Sequence, residues 1–418
     1  MIRILALKDR GELERIRQRS SGDVDRVIGD AKIIIEKVKK GRDKALFECS
    51  KKFDNFELNK KNIEVSKAEI KEAYKKVDKK LINALKVSIS RIKNFSKNQM
   101  PKELRLKENG IEIRQIIRPI EKVGCYIPAG NYPLPSSVLM TVVPAKVAGV
   151  REVVVCTPPK KGNEAIIVAA HLAGADKLFR VGGAHAIAAL AYGTESIPKV
   201  GKIVGPGNVY VTAAKKLLYG EVGIDFLAGP SEVLIYAENG NEKYIAADML
   251  AQSEHDKYAS AILVTTSKKL ADKVSKEIEN QLKKLPTRKI AEQSLNNYGA
   301  ILIAKNRKEA ISFINDFAPE HLELFEESIL KDINNAGAIF LGENSCEAAG
   351  DYAVGPSHVL PTGGVARFRS GLSVYDFIKM PSVQKLSAQG LKKLKPIIAK
   401  LAECEGLLAH KRSAEIRR

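Results

Sequence analysis

Along the first hundred residues the apolar positions recur every three or four residues. The stretch DVDRVIGDAKIIIEKVKKGRDKALFECSKKFD (23–54) keeps an apolar stripe among charged positions and ends in a polar turn, which predicts an amphipathic helix. The segment ISRIKNFSKNQM (89–100) repeats that pattern. From about residue 120 short β-branched runs alternate with alanine-rich helical stretches. REVVVCTPPK (151–160), KLFRVGGA (177–184) and KVGKIVGPGN (199–208) predict strands. NEAIIVAAHLAGA, AHAIAALAYGT and VYVTAAKKLLYG follow them as helices, the last closed by Gly220. Strand, helix, strand in this order is the signature of a parallel sheet with right-handed crossovers. A second series, SEVLIYAEN, SAILVTTS, GAILIAKN and AGAIFLGEN, predicts four more strands with helices between them. Two α/β units follow, either halves of one doubly wound fold or separate domains. The tail from about Ser373 reads as helical and basic, and no repeat at solenoid spacing occurs.

A chain of 418 residues, 44% of them hydrophobic, is long enough for two or three domains. No apolar run reaches the roughly 20 residues of a membrane-spanning helix. The opening MIRILALKDRGELERIRQ has neither the apolar core nor the cleavage site of a secretory signal, so the expected location is the cytoplasm. Cys49, Cys125, Cys156, Cys346 and Cys404 are scattered and form no C-x-x-C pair, which argues for reduced thiols and against a disulfide framework or a zinc ribbon. A formal net charge of +20 raises nucleic-acid binding. The lysines, however, are spread along helices and not gathered beside aromatic residues, so a solvated lysine-rich surface accounts for them.

Chemistry-bearing residues gather in five places. In AADMLAQSEHD (246–256) Gln252 and His255 are three apart, on one face of a helix, and offer an oxygen and a nitrogen to a metal. An exposed helix end would read the same way. In FAPEHLEL (317–324) the adjacent Glu320 and His321 follow Pro319, at a predicted helix start or sharp turn, and could act as two proton acceptors. AAGDYAVGPSHVLPTGG (348–364) is so punctuated by glycine and proline that a loop carrying Asp351 and His358 is expected. In LAECEGLLAH (401–410) Glu405 and His410 are five apart, which one regular helix does not bring to one side; a break near Gly406 would. GPGNVYVTAAK (205–215) joins strand, turn and helix start into a backbone pocket for an anion or a nucleotide, although no G-x-G-x-x-G fingerprint is present.

Taken together and in order, VGCYIPAG, PLPSSVLM, GTESIPKV, KIVGPGNVYVTAAK, DFLAGPSEVL, DMLAQSEHD, APEHLEL, GDYAVGPSHVLPT and SGLSVYDF resemble the histidinol dehydrogenase family along nearly the whole chain. The resemblance implies an α/β fold of two Rossmann-like parallel-sheet domains, both incomplete nucleotide-binding folds, with helical N-terminal and C-terminal extensions. It divides the chain into a helical extension (1–22), a first α/β domain with the metal and catalytic residues (23–122 and 232–372), a second on the NAD side (123–231) and a tail (373–418) reaching the partner of a homodimer. It implies the metal ligands Gln252, His255, Asp351 and His410, with zinc as the usual ion, one per subunit, and manganese as the alternative. Ser231 and Glu405, together with His321 and the four ligands, resemble the contacts to L-histidinol. Glu320 and His321 resemble the catalytic pair, and Tyr126 and Asn208 the NAD contacts.

Two positions depart from the family pattern. His185 stands in GGAHAI where the family has a glutamine beside NAD, and Ala129 stands in the PAG turn where glycine is usual, which strains the turn if φ is positive there. The activity implied is the NAD-dependent, four-electron oxidation of L-histidinol to L-histidine through bound histidinal, the last step of histidine biosynthesis, with no nucleic acid or membrane as partner. From the residues alone, a metal-dependent hydrolase and a basic nucleic-acid-binding protein are the alternatives.

Overall fold

The computed structural model describes residues 2–7, 10–17, 21–129 and 132–417. Two parallel sheets carry the architecture. The edge strand β1 (Arg3–Ala6) belongs to a six-stranded sheet whose other members come much later in the chain. Between them lies a five-stranded sheet of β2 (Lys122–Tyr126), β3 (Glu152–Thr157), β4 (Lys177–Arg180), β5 (Lys202–Val204) and β6 (Gly223–Ile224). The larger sheet then continues with β7 (Glu232–Tyr236), β8 (Ser260–Thr265), β9 (Ala300–Ile303), β10 (His321–Leu324) and β11 (Ala338–Leu341). The strand orders are β4-β3-β2-β5-β6 and β1-β9-β8-β7-β10-β11. Apart from the added β1, both units place their own strands third, second, first, fourth, fifth, and every pairing is parallel.

Each sheet is apolar on both faces because crossover helices cover both. Val123, Val153 and Val155 point into one core of the smaller sheet, and Val154, Cys156 and Ile203 into the other. Val233, Ala261 and Leu263 alternate in the same way with Leu234, Ile262 and Val264 in the larger sheet.

Several expectations are corrected. The extension 1–22, read as helical, begins with β1, because Arg3-Ile4-Leu5-Ala6 completes the edge of the larger sheet beside β9. The helices of residues 21–99, read with the larger unit, pack on the smaller one. Ser21–Cys49 lies against Gly183–Tyr192 and Val209–Leu218, and Lys79–Gln99 lies against Pro135–Val147. The central strand β2 went unread because Gly124 interrupts its apolar run. That glycine is required, since a Cβ there would come within 2.9 Å of the Leu190 side chain. Glu320–His321 open the strand β10 and not a helix, and Glu347–Tyr352 form a short helix inside the expected loop.

The tail is not wholly helical. Ser382–Leu386 pairs antiparallel with Ile111–Gln115, which also pairs with Leu104–Glu108. Only then do the helices Ala388–Cys404 and Leu408–Glu415 follow, with Gly406 at φ 73° between them. The break expected near Gly406 is therefore present, as a left-handed residue that favours glycine.

Candidate active site

In a sheet ordered third-second-first-fourth, ligands bind beyond the carboxyl ends of the first and fourth strands, where the connections diverge. In the smaller sheet these are β2, ending at Tyr126, and β5, ending before Gly205. The chains approach so closely that a Cβ on Gly205, at φ +110°, would lie 2.2 Å from the Tyr126 carbonyl oxygen. Behind this turn Lys215 and Asp225 form a buried ion pair. The Lys215 ammonium donates to the Gly205 carbonyl at 3.1 Å, and Asp225 Oδ2 accepts the Gly205 N–H at 2.7 Å. Asn208 caps the next helix, its Oδ1 accepting the N–H groups of Tyr210 and Val211 at 3.1 and 3.2 Å, which leaves its NH2 for a ligand. The Tyr126 hydroxyl accepts the Gly183 N–H at 3.1 Å and keeps its own proton to donate. Burial pushes its ionisation well above the ordinary range.

His185 is buried, its Nε2 3.5 Å from Asp54 Oδ2 and its ring stacked on Phe53. The group beside it is thus a carboxylate from the turn that follows the first long helix. Ala129 has no positive φ and joins the apolar core, so the strain expected there is absent. Gly130 and Asn131, the rest of that turn, lie outside the described residues.

The second group of residues lies at the opposite, N-terminal edge of the larger sheet. His321 is the first residue of β10 and Glu320 precedes it. The two are locked to the start of β7. The Glu232 N–H donates to Glu320 Oε2 at 2.8 Å, and the Glu320 N–H donates to Glu232 Oε1 at 3.2 Å. His321 Nδ1 donates to the Glu232 carbonyl at 3.1 Å, which leaves Nε2 as the basic nitrogen. Nε2 is buried without a hydrogen bond. Burial drives the His321 pKa down to about 4, so the ring is neutral at pH 7 and ready to take a proton.

Three potential ligand atoms, from His255, Glu347 and Asp351, lie within 4.8 Å of one another. His255 Nε2 is 4.0 Å from Asp351 Oδ2, and His321 Nε2 is 3.8 Å from Asp351 Oδ1. Gln252 sits in the last turn of its helix, which ends at Ser253, so His255 follows the helix end and is not on its face. Both amide atoms of Gln252 are buried with no hydrogen-bond partner. Leaving such a group unsatisfied costs about 1–3 kcal/mol, and a bound cation would offset that cost for the amide oxygen Oε1. Nitrogen and oxygen donors with no cysteine suit zinc or manganese.

Of the residues expected from the sequence, the structure brings His255, Asp351, Glu320 and His321 together, with Ser231 immediately before the clamp at Glu232. Glu405 and His410 are exposed on the tail and belong to no potential ligand group of the same chain among the described residues. Glu347 was missed. It is four residues before Asp351, so both face one side of a helix, a spacing hidden by the reading of that segment as loop. Burial, followed by Asp351, raises its pKa well above the ordinary range. His358 was noticed without a role. Its Nδ1 donates to the Asp351 carbonyl at 3.0 Å, and its Nε2 lies 3.3 Å from the Ser137 hydroxyl of the smaller unit. It ties the two halves of the site together.

The histidinol dehydrogenase family model matches residues 17–418. The chain is 48% identical over 412 residues to histidinol dehydrogenase of Clostridium acetobutylicum, covering 97% of this chain and 95% of that one. It is 48% identical over 413 residues to the Methanothermobacter thermautotrophicus enzyme, covering 97% and 96%. The chain belongs to the histidinol dehydrogenase family. The crystal structure of histidinol dehydrogenase from Elizabethkingia anophelis superposes with a TM-score of 0.90 at 40% identity, covering 94% of this chain and 92% of that one. The family match includes the tail, and neither the hydrolase nor the nucleic-acid alternative finds support in it. No helix among the described residues is long and apolar enough to cross a membrane.

Proposed function

We propose that the chain oxidises L-histidinol to L-histidine in the cytoplasm, in two NAD-dependent steps through bound histidinal. The observation that carries this reading is the meeting of a neutral imidazole, His321, whose Nε2 has no hydrogen bond, with a second acceptor, Glu320, beside a nitrogen-and-oxygen ligand cluster. Gln252, His255 and Asp351 would hold zinc from this chain, with Glu347 close by. Tyr126 and Asn208 are the NAD contacts, at the switch point of the smaller sheet. When bound, NAD would supply the hydride acceptor of each oxidation, and a metal held by Gln252, His255 and Asp351 would supply a Lewis acid that anchors the substrate.

The protein's part is proton handling and position. His321 Nε2 takes the hydroxyl proton as hydride leaves the alcohol carbon. Glu320 then takes a proton from the water that adds to the aldehyde carbon while His321 returns its proton to the aldehyde oxygen, which gives the gem-diol and frees His321 Nε2 again. His321 removes one gem-diol proton as the second hydride leaves, and the carboxylic acid that forms loses its remaining proton to solvent to become the carboxylate. Glu320, His321 and Asp351 are buried, which limits the bulk water that reaches them between the steps.

The tail completes the site of a second copy, with His410 as a ligand and Glu405 as a substrate contact in a homodimer. Supporting this, Ile397, Leu401, Leu407, Leu408 and Ile416 expose apolar surface along the two tail helices.

A test follows at 340 nm. Each histidinol should yield two reduced cofactors, chelation should abolish turnover and zinc should restore it. Full activity in demonstrably metal-free protein would count against the metal. Refolding a mixture of inactive His255→Ala and His410→Ala chains should restore activity, because each hybrid dimer holds one intact site. Proven hybrids without recovered turnover would reject the shared site.

A further inference from the structure

We infer that Glu232 is the positioning residue of the catalytic pair, through its side-chain oxygen and not its charge. This rests on the reading of Glu320 and His321 as that pair.

Glu232 opens β7, and only 1% of it is exposed. Three parts of its structure are engaged with the site. Its N–H holds the Glu320 carboxylate, and its carbonyl holds His321 Nδ1. Its Oε1 accepts the N–H groups of Glu320, at 3.2 Å, and Gly363, at 3.1 Å. That oxygen therefore joins the backbone before β10 to the glycine-rich loop that continues from Asp351 and His358. Gly229, just ahead of Glu232, joins the same loop by donating to Thr362 Oγ1 at 2.5 Å.

The consequence is geometric. Parallel pairing of β7 with β10 already sets His321 opposite Val233. Pairing alone does not fix how far Glu320, one residue before the strand, stands from the loop of Asp351. The bridging oxygen fixes that distance from both sides. A displacement near 1 Å in such an assembly costs on the order of a hundredfold in rate, and loss of groups that orient other groups costs about 10–100-fold. Glu232 itself touches neither substrate nor NAD in this reading, so binding should suffer less than the chemical step.

Two substitutions separate reach from charge. Glu232→Asp keeps the carboxylate but withdraws it by one methylene. Glu232→Gln loses the charge and keeps an acceptor oxygen at the same reach. Steady-state kinetics from histidinol and from histidinal, with thermal melting in parallel, should show kcat down by about 100-fold in Glu232→Asp for both substrates, with KM for histidinol and NAD changed less than about threefold. Glu232→Gln should retain kcat within about fivefold. Equal losses in the two variants would overturn the inference, since charge would then matter more than reach. A matching rise in KM, or a loss that follows the melting temperature alone, would overturn it too. His321→Asn run alongside tests the underlying reading: full turnover there removes the pair itself, whatever Glu232 does.

Discussion

β5 of the smaller sheet and β10 of the larger occupy the same place in their strand orders, next to the first strand of each unit. Beyond the carboxyl end of β5 the chain makes a glycine-proline-glycine turn, held from behind by Lys215 and Asp225. Beyond the carboxyl end of β10 the equivalent crevice is filled by the protein itself. Glu326 Oε1 accepts the N–H groups of Glu238 and Asn239 at 2.7 and 3.3 Å, and Glu343 accepts that of Asn241 at 3.1 Å. Carboxylates sit where nucleotide phosphates would need the same donors. Glu320 and His321, the proposed catalytic pair, lie at the other edge of the larger sheet, where they precede and begin β10. One topology thus offers two equivalent crevices, and side chains decide which is open.

The largest effect expected of this contrast is at the N-terminal edge of β10. His321→Asn should lower kcat about a thousandfold in both oxidations, within the range for a lost general base. Glu326→Gln at the filled carboxyl edge should leave kcat and NAD affinity within twofold, about the scatter of such measurements. Comparable losses in the two would erase the distinction between the edges.

A smaller effect probes the open crevice. Lys215→Met strands a buried carboxylate and should cost about 3–5 kcal/mol in denaturant unfolding. NAD titration should show weakened binding because the Gly205 turn is released. The double variant with Asp225→Asn should recover part of the stability but not the affinity. A single-variant cost below about 1 kcal/mol would show that the pair is dispensable.

The smallest effect concerns Asp248 and Glu323, two carboxyl groups hydrogen-bonded to each other beneath the catalytic edge. Burial raises Asp248 to about 6 and, with Asp248 beside it, Glu323 well above the ordinary range. Between the unfolded value near 4 and the folded value near 6 the native state holds the extra proton, so stability falls as pH rises through that window. Asp248→Asn should remove this fall, gaining about 1 kcal/mol at pH 7.5 and little at pH 4, read as unfolding midpoints across the range. A gain independent of pH would show that the effect is packing.

Short apolar runs made β3, β4, β5, β7, β8, β9 and β11 legible in the sequence, because a strand covered on both faces needs little else. β2 was hidden by Gly124, where a neighbouring leucine leaves no room for a Cβ. β10 was hidden because Pro319 and the charged Glu320–His321 pair imitate a helix start, while the pairing that makes it a strand is with β7, far away in sequence. His255, Asp351, Glu320 and His321 were legible as chemistry. Glu347 was not, since nothing local marks a buried carboxylate, and neither was the clamp by Glu232, which exists only when two strands lie side by side.

β1 sets a timetable for synthesis. Residues 21–226 contain the complete smaller sheet and its covering helices, and Val359, Leu372, Val374 and Phe377 join their core only later in synthesis. Arg3–Ala6 emerges before all of it, yet its hydrogen-bonding partner is Ala300–Ile303, nearly 300 residues later. At about 5–20 residues per second the strand waits for some tens of seconds. It crosses that interval as four residues with an arginine at the front, too short to recruit a neighbour on a crowded ribosome. This early strand is therefore among the last to find its place, and its docking completes the edge of the larger sheet only after β9 exists.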